Sequence, residues 1–216
     1  LGFETIATQK LHSFITNYPN STFNQEARTL LSQLLAKSSN YAEAFKIMSN
    51  LPTKDGDSWR LFQKVAVRRA LQVLQNNQLT TADSIFNLSL QQPVNPAYEA
   101  IAYFWKGEIA YRSGNYQQAI NYSQTFLNKA LGSEDEIASI SKAANKQNAQ
   151  MIIGYAQMKS GDYSNAQQAF AQAQKTAIQN PEATATATLH EADAYFMQQN
   201  FAKAEKLYRD AIAKGV

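Results

Sequence analysis

The feature that most constrains this chain is a small residue that returns at a nearly fixed interval. Ala7, Ala44, Ala82 and Ala119 follow one another at 37, 38 and 37 residues, and Ala166 and Ala204 continue the series after 47 and 38. A near-constant period of this length is the mark of stacked supersecondary units, each burying a face against the next. Twelve residues before these alanines stand Ser32, Ala70, Gly107, Gly154 and Ala192, all small. Paired small residues at one separation predict two segments whose backbones approach closely. Gly107 lies inside a run that otherwise reads as helix, where a glycine costs about 1 kcal/mol relative to alanine. Close approach of a neighbouring helix supplies the compensating contacts.

Within each unit the apolar residues recur at three- and four-residue intervals on both sides of a short polar break, which predicts two amphipathic helices joined by a tight turn. Gly114 and Gly161 fall at the break, where a left-handed residue ends a helix without a side-chain penalty. Asn115 and Asp162 then stand where an N-cap is needed. Asn95-Pro96 and Asn180-Pro181 place a cap residue before a first-turn proline, and Ser133 with Glu136 fits a capping box. These boundaries predict a lone second helix over 1–20 and helical hairpins over 22–52, 57–92, 95–131, 133–178 and 181–215. The interval from Ala119 to Ala166 carries roughly nine or ten additional residues around LGSEDEIASISKAANKQ, read as a first helix extended from about Glu136 plus a longer connection. Solenoids need polar caps at their ends, and neither end here supplies one, so the chain is expected to be a piece of a longer array.

Composition narrows the function. With 44% hydrophobic and 17% charged residues, 8 Gly and 5 Pro in 216 residues, the sequence suits long regular segments rather than disorder. No stretch approaches the roughly 18 apolar residues of a membrane span. Cysteine is absent, which removes thiolate ligands and nucleophiles. A net charge of +3, with scattered Lys and Arg, gives no footprint for nucleic acid. His12 and His190 are far apart along the chain and lack the company that a metal site needs. No nucleotide, zinc-protease or serine-hydrolase motif occurs, so no catalytic residue, metal or cofactor is expected. Asp55-Gly56-Asp57 reads as a turn before the helix of Trp59, and Glu134-Asp135-Glu136 as favourable charge at a helix N-terminus. Trp59 and Trp105 read as packing residues.

The pattern of a small residue, glycine seven later, tyrosine two beyond, alanine three beyond and an aromatic after four more resembles the tetratricopeptide repeat. Gly107, Gly114, Tyr116 and Ala119 carry it in one copy, and Gly154, Gly161, Tyr163, Ala166 and Phe170 in the next. Tyr41, Phe86, Phe201 and Tyr208 match in others, whereas Ser39, Asn77 and Gln199 depart from the turn glycine, and Met48 and Ser123 from the late aromatic. The resemblance implies an all-α, right-handed superhelical α-solenoid whose concave face, lined by first helices, captures a protein or peptide partner. Carried onto this sequence, the exposed positions of that face include Phe104, Glu108, Tyr111 and Arg112, then Met151, Tyr155, Met158 and Lys159, then Leu189, Asp193 and Phe196. Place nine of these helices holds Gln33, Leu71, Glu108, Tyr155 and Asp193, which argues against the clamp by which some members hold a C-terminal carboxylate. Phrases such as AYFWKGEIAYRSGNY resemble large multi-repeat envelope proteins and lipoproteins of the Bacteroidetes, which implies a periplasmic or outer-membrane-associated parent. Two alternatives stay open: a structural spacer that self-associates through its repeat ends, and a glycan or small-molecule binder that uses the groove aromatics.

Overall fold

A computed structural model describes residues 2–176 and 180–214. Among the described residues it contains twelve α-helices and no strand. The chain divides into two compact units, Leu1–Glu99 and Ala100–Val216.

The first unit holds α1 (Phe3–Asn17), α2 (Asn24–Lys37), α3 (Tyr41–Ser49), α4 (Gly56–Gln75), α5 (Leu79–Ser89) and the first turn of α6 (Pro96–Arg112). Helix α1 has no fully buried residue and leans on its neighbours through Leu11 and Ile15, which pack against a cluster of Leu31, Leu35, Ala44 and Val65. Asn24 fixes its end: the side-chain amide donates to the carbonyls of Ile15 and Tyr18, and the Arg28 guanidinium returns a 2.7 Å bond to the Asn24 oxygen. A second cluster joins Met48, Leu51 and Phe62, with Phe45 stacked on Phe62 and Trp59 edge-on to it. Asp55 caps α4 by accepting from the Ser58 N–H at 2.8 Å, as expected of a turn before that helix. The buried Gln63 carboxamide ties down the loop before α6, accepting from Val94 and Asn95 N–H and donating to the Asn95 carbonyl.

The second unit continues α6 and adds α7 (Tyr116–Lys129), α8 (Glu134–Ile140), α9 (Lys146–Lys159), α10 (Tyr163–Thr176), α11 (Pro181–Met197) and α12 (Phe201–Ala213). The longer interval is not an extended first helix. It folds as the separate short helix α8, after which Ser141 turns extended and α9 restarts at Lys146 under Asn145, whose side chain accepts from the Asn148 N–H at 2.8 Å. The cap offsets part of the cost of the break by satisfying one of the N–H donors that the new helix end exposes. Ser133 occupies the N-cap of α8 but its hydroxyl makes no capping bond, so the expected capping box is not formed. Asn115 likewise caps by position only, whereas Asn95, Asp162 and Asn180 accept from the expected N–H groups. Trp105 anchors the added segment by donating its indole N–H to Ser141 Oγ at 3.1 Å.

One turn joins each helical pair. The N–H of Asn40, Gln78, Asn115, Asp162 and Asn200 reaches back to the carbonyl of Leu35, Val73, Ala110, Gln157 and Tyr195, and the residue before each bonds to the carbonyl three back. This double closure is the Schellman arrangement, and it requires a left-handed residue at its centre. Gly114 and Gly161 provide it at φ +78°; Ser39, Asn77 and Gln199, which depart from glycine in sequence, adopt the same conformation at φ 62°, 58° and 61°. The cost of such a residue is roughly 1–2 kcal/mol, less for asparagine.

Packing between paired helices follows the small residues. Ala44, Ala82, Ala119, Ala166 and Ala204 are all buried, as are Ser32, Ala70 and Ala192. A Cβ on Gly107 would meet Ser123 Oγ at 2.6 Å and the Ser123 backbone nitrogen at 3.3 Å. On Gly154 it would meet the Phe170 ring at 2.5 Å, and that ring is wholly buried. Gly154→Ala is therefore expected to destabilise the protein by about 1–3 kcal/mol despite alanine's better helix propensity, measured by urea unfolding. Gly107→Ala should cost less, since a serine hydroxyl can rotate away. Gln199→Gly should stabilise by about 1 kcal/mol, and Asn77→Gly by less, in the same measurement.

Candidate functional site

The first helices of the second unit, α6, α9 and α11, present half-buried aromatic side chains in sequence. Tyr111 of α6 and Tyr155 of α9 lie with ring centroids 6.0 Å apart. Tyr155 continues edge-on to His190 of α11 at 4.9 Å and to Phe170 of α10 at 5.4 Å. Tyr116, at the start of α7, closes the other end against Tyr111 at 6.1 Å. The rings do not share one repeat position: Tyr111, Tyr155 and His190 stand 8, 11 and 14 residues before Ala119, Ala166 and Ala204, so the run steps back by about one helical turn from each hairpin to the next.

Beside this run is a pocket of about 370 Å³, whose walls are Tyr111, Tyr155, Met158, Tyr163, His190 and Met197, with Phe170 behind and Lys159 beside them. Aromatic and methionine side chains suit the capture of an apolar anchor, since they offer large contact area and can adjust. Polar groups frame it. Asp193 receives the Tyr208 hydroxyl at 2.9 Å on one oxygen and faces His190 Nδ1 at 3.0 Å with the other. Glu108 is half-buried, and that burial raises its pKa while the Arg112 charge opposes the rise. Burial pushes Tyr155 up to about 12, with Tyr111 and Asp193 adding to the effect. Tyr208 is also pushed up to about 12, first by burial and then by the bond to Asp193, which holds its proton.

Of the positions expected on this face, Tyr111, Tyr155, Met158 and Lys159 converge on the pocket. Asp193 stands beside it through His190, and Leu189 is half-buried on α11. Arg112 is exposed. Phe196 is 51% exposed and lies edge-on to Phe201 rather than in the pocket. Two expectations of exposure are corrected. Phe104 is only 3% exposed because it packs edge-on against Phe126 and Trp105, and Met151 is only 7% exposed because it joins the cluster of Ala166, Phe170 and Ala187. Tyr163, Phe170, His190 and Tyr208 contribute to the site without having been assigned to it from sequence. The i, i+3 spacing of His190 and Asp193 was the available signal for one of them. His12 also has a carboxylate partner, Glu43, at 3.0 Å. Among the described residues no group of three His, Asp or Glu could hold a metal ion, and no helix is long and apolar enough to cross a membrane.

Comparison with known proteins agrees with this architecture. The family model "Tetratricopeptide repeat" matches residues 153–215. No curated protein matches the sequence. Among solved structures, BtubC (BKLC) from P. vanneervenii is 14% identical and superposes with a TM-score of 0.64 over 98% of this chain and 87% of that one. RapI in its apo form is 13% identical, with a TM-score of 0.61 over 98% of this chain and 65% of its own. The TPR-like repeats of a putative kinesin light chain from Podosopora anserina are 12% identical, with a TM-score of 0.56 over 88% of this chain and 93% of theirs. At these identities the likeness concerns the fold.

The tyrosine environment has a measurable consequence. An unfolded tyrosine ionises near 10, so groups held near 12 bind protons in the folded state that the unfolded state has lost. Their contribution is fully present below about pH 10 and disappears as pH rises toward 12. Alkaline titration followed by tyrosinate absorbance should show a late-ionising component that Tyr155→Phe and Tyr208→Phe each reduce.

Proposed function

We propose that the chain is a tetratricopeptide-repeat scaffold, non-catalytic, that binds a peptide or protein partner through α6, α9 and α11; the family pattern matched over residues 153–215 and the fold shared with solved repeat structures support this. The observation that carries this reading is the aromatic run from Tyr111 through Tyr155 to His190, beside a pocket of about 370 Å³ that is roughly the size for one bulky apolar side chain. Partner binding concentrates its energy in a few aromatic anchors surrounded by polar groups that exclude water. Here Tyr111 and Tyr155 supply the rings, and Lys159, Glu108 and the His190–Asp193 pair the polar surround. The resemblance to Bacteroidetes envelope proteins supports placing this array in a larger bacterial envelope protein.

Affinity capture from cell extract tests the reading, using wild-type protein, Tyr111→Ala and the exposed-site variant Lys159→Glu as baits, each verified as folded by circular dichroism. The same specific proteins should be captured by the wild type and reduced about tenfold or more by both variants. Undiminished capture by both would remove this face from consideration.

A further inference from the structure

A chain of hydrogen bonds that starts outside the aromatic pocket holds His190 in one orientation. The Tyr208 hydroxyl of α12 donates to Asp193 Oδ1 at 2.9 Å, and Asp193 Oδ2 stands 3.0 Å from His190 Nδ1, one turn earlier on α11. Tyr155 of α9 lies edge-on to the imidazole at 4.9 Å and Phe170 of α10 is tilted against it at 5.6 Å, so neighbouring helices grip the ring as well. This partnership divides the roles of the two ring nitrogens. A carboxylate only accepts, and a neutral imidazole has one donor and one acceptor nitrogen. With Nδ1–H committed to Asp193, Nε2 is left as the acceptor. It has no hydrogen-bond partner among the described residues, and it is not sealed from solvent: the side chain keeps 29% of its surface exposed.

The rest of the lining makes that acceptor distinctive. Met158, Met197 and Phe170 offer apolar contact, the hydroxyls of Tyr111, Tyr155 and Tyr163 can donate or accept, and the Lys159 ammonium only donates. Among these lining nitrogens and oxygens, His190 Nε2 alone accepts without donating.

We propose, on the reading of this face as the partner site, that its anchor is a tryptophan side chain whose indole N–H donates to His190 Nε2. The indole nitrogen only donates, so the one polar atom that the anchor buries is satisfied and no lone pair is left over. Its broad ring suits a wall of aromatic rings and two thioethers, and a pocket of about 370 Å³ admits it. A phenylalanine would desolvate Nε2 and leave it unpaired. A tyrosine brings lone pairs that need donors of their own, and an arginine or lysine would set a second positive charge beside Lys159.

Nuclear magnetic resonance on the whole chain tests this, with N-acetyl-tryptophanamide, its 1-methylindole analogue and the corresponding phenylalanine and tyrosine amides as probes, each to about 10 mM. The sequence holds 2 histidines, so His190→Phe assigns the ring signals. At about pH 8 the ring nitrogens should report a proton on Nδ1 and none on Nε2. The tryptophan amide should shift the His190 ring and the Met158 and Met197 methyls with a Kd on the order of 1 mM, and methylating the indole nitrogen should weaken binding about fivefold. His190→Phe should erase that difference while the phenylalanine amide still binds, which shows that the pocket remains folded. A proton on Nε2, equal binding of the two indoles, tighter binding of the tyrosine amide, or no shift with the tryptophan amide would overturn the proposal. Equal binding of the two indoles at the pocket would leave the partner face standing, whereas undiminished capture by both bait variants removes that face whatever its anchor, so the two readings fail separately.

Discussion

The structure depends on a single recurring junction, the left-handed Schellman turn between paired helices. Its two backbone bonds satisfy carbonyls at the end of the first helix and deliver the residue that starts the second. With direction fixed there, the small residues twelve positions before each recurrent alanine come opposite the second helix. Helix separation then becomes a matter of whether a Cβ fits, as at Gly107 and Gly154. The turn sets the angle and the small residues set the distance. The run through Tyr111, Tyr155 and His190 crosses successive hairpins, about one helical turn earlier in each.

Much of this was legible in the sequence, and the reasons are specific. The alanine period reported the repeat because burial at that position leaves no room for a larger side chain. Gly114 and Gly161 reported the turn because glycine is the least costly left-handed residue. Ser39, Asn77 and Gln199 hid the same turn: the backbone bonds on either side were strong enough to hold an ordinary residue at positive φ, so composition understated how regular the fold is. The interval between Ala119 and Ala166 was legible in length but not in form. Helix pattern alone did not reveal that Asn145 would cap a new helix while Ser141 broke the old one.

The candidate site was read less completely. Position within a first helix identified Tyr111, Tyr155, Met158 and Lys159, which converge on the pocket. It failed for Phe104 and Met151, because facing the inner side of a hairpin does not guarantee exposure when a neighbouring cluster reaches the same side chain. It passed over Tyr163, Phe170 and Tyr208 because they belong to second helices, where the repeat pattern already accounted for them as packing residues. In the fold, Tyr208 still aims its hydroxyl at Asp193 of α11.

The central claim is that the aromatic face of the first helices meets a partner. Site-specific photo-crosslinking in native cells tests it most directly, with a photoreactive phenylalanine analogue placed at Tyr111 and, separately, at the exposed second-helix position Gln118. The account predicts a discrete set of adducts from position 111 that is absent from position 118. Equal adducts from both positions, or adducts from 118 alone, would contradict it.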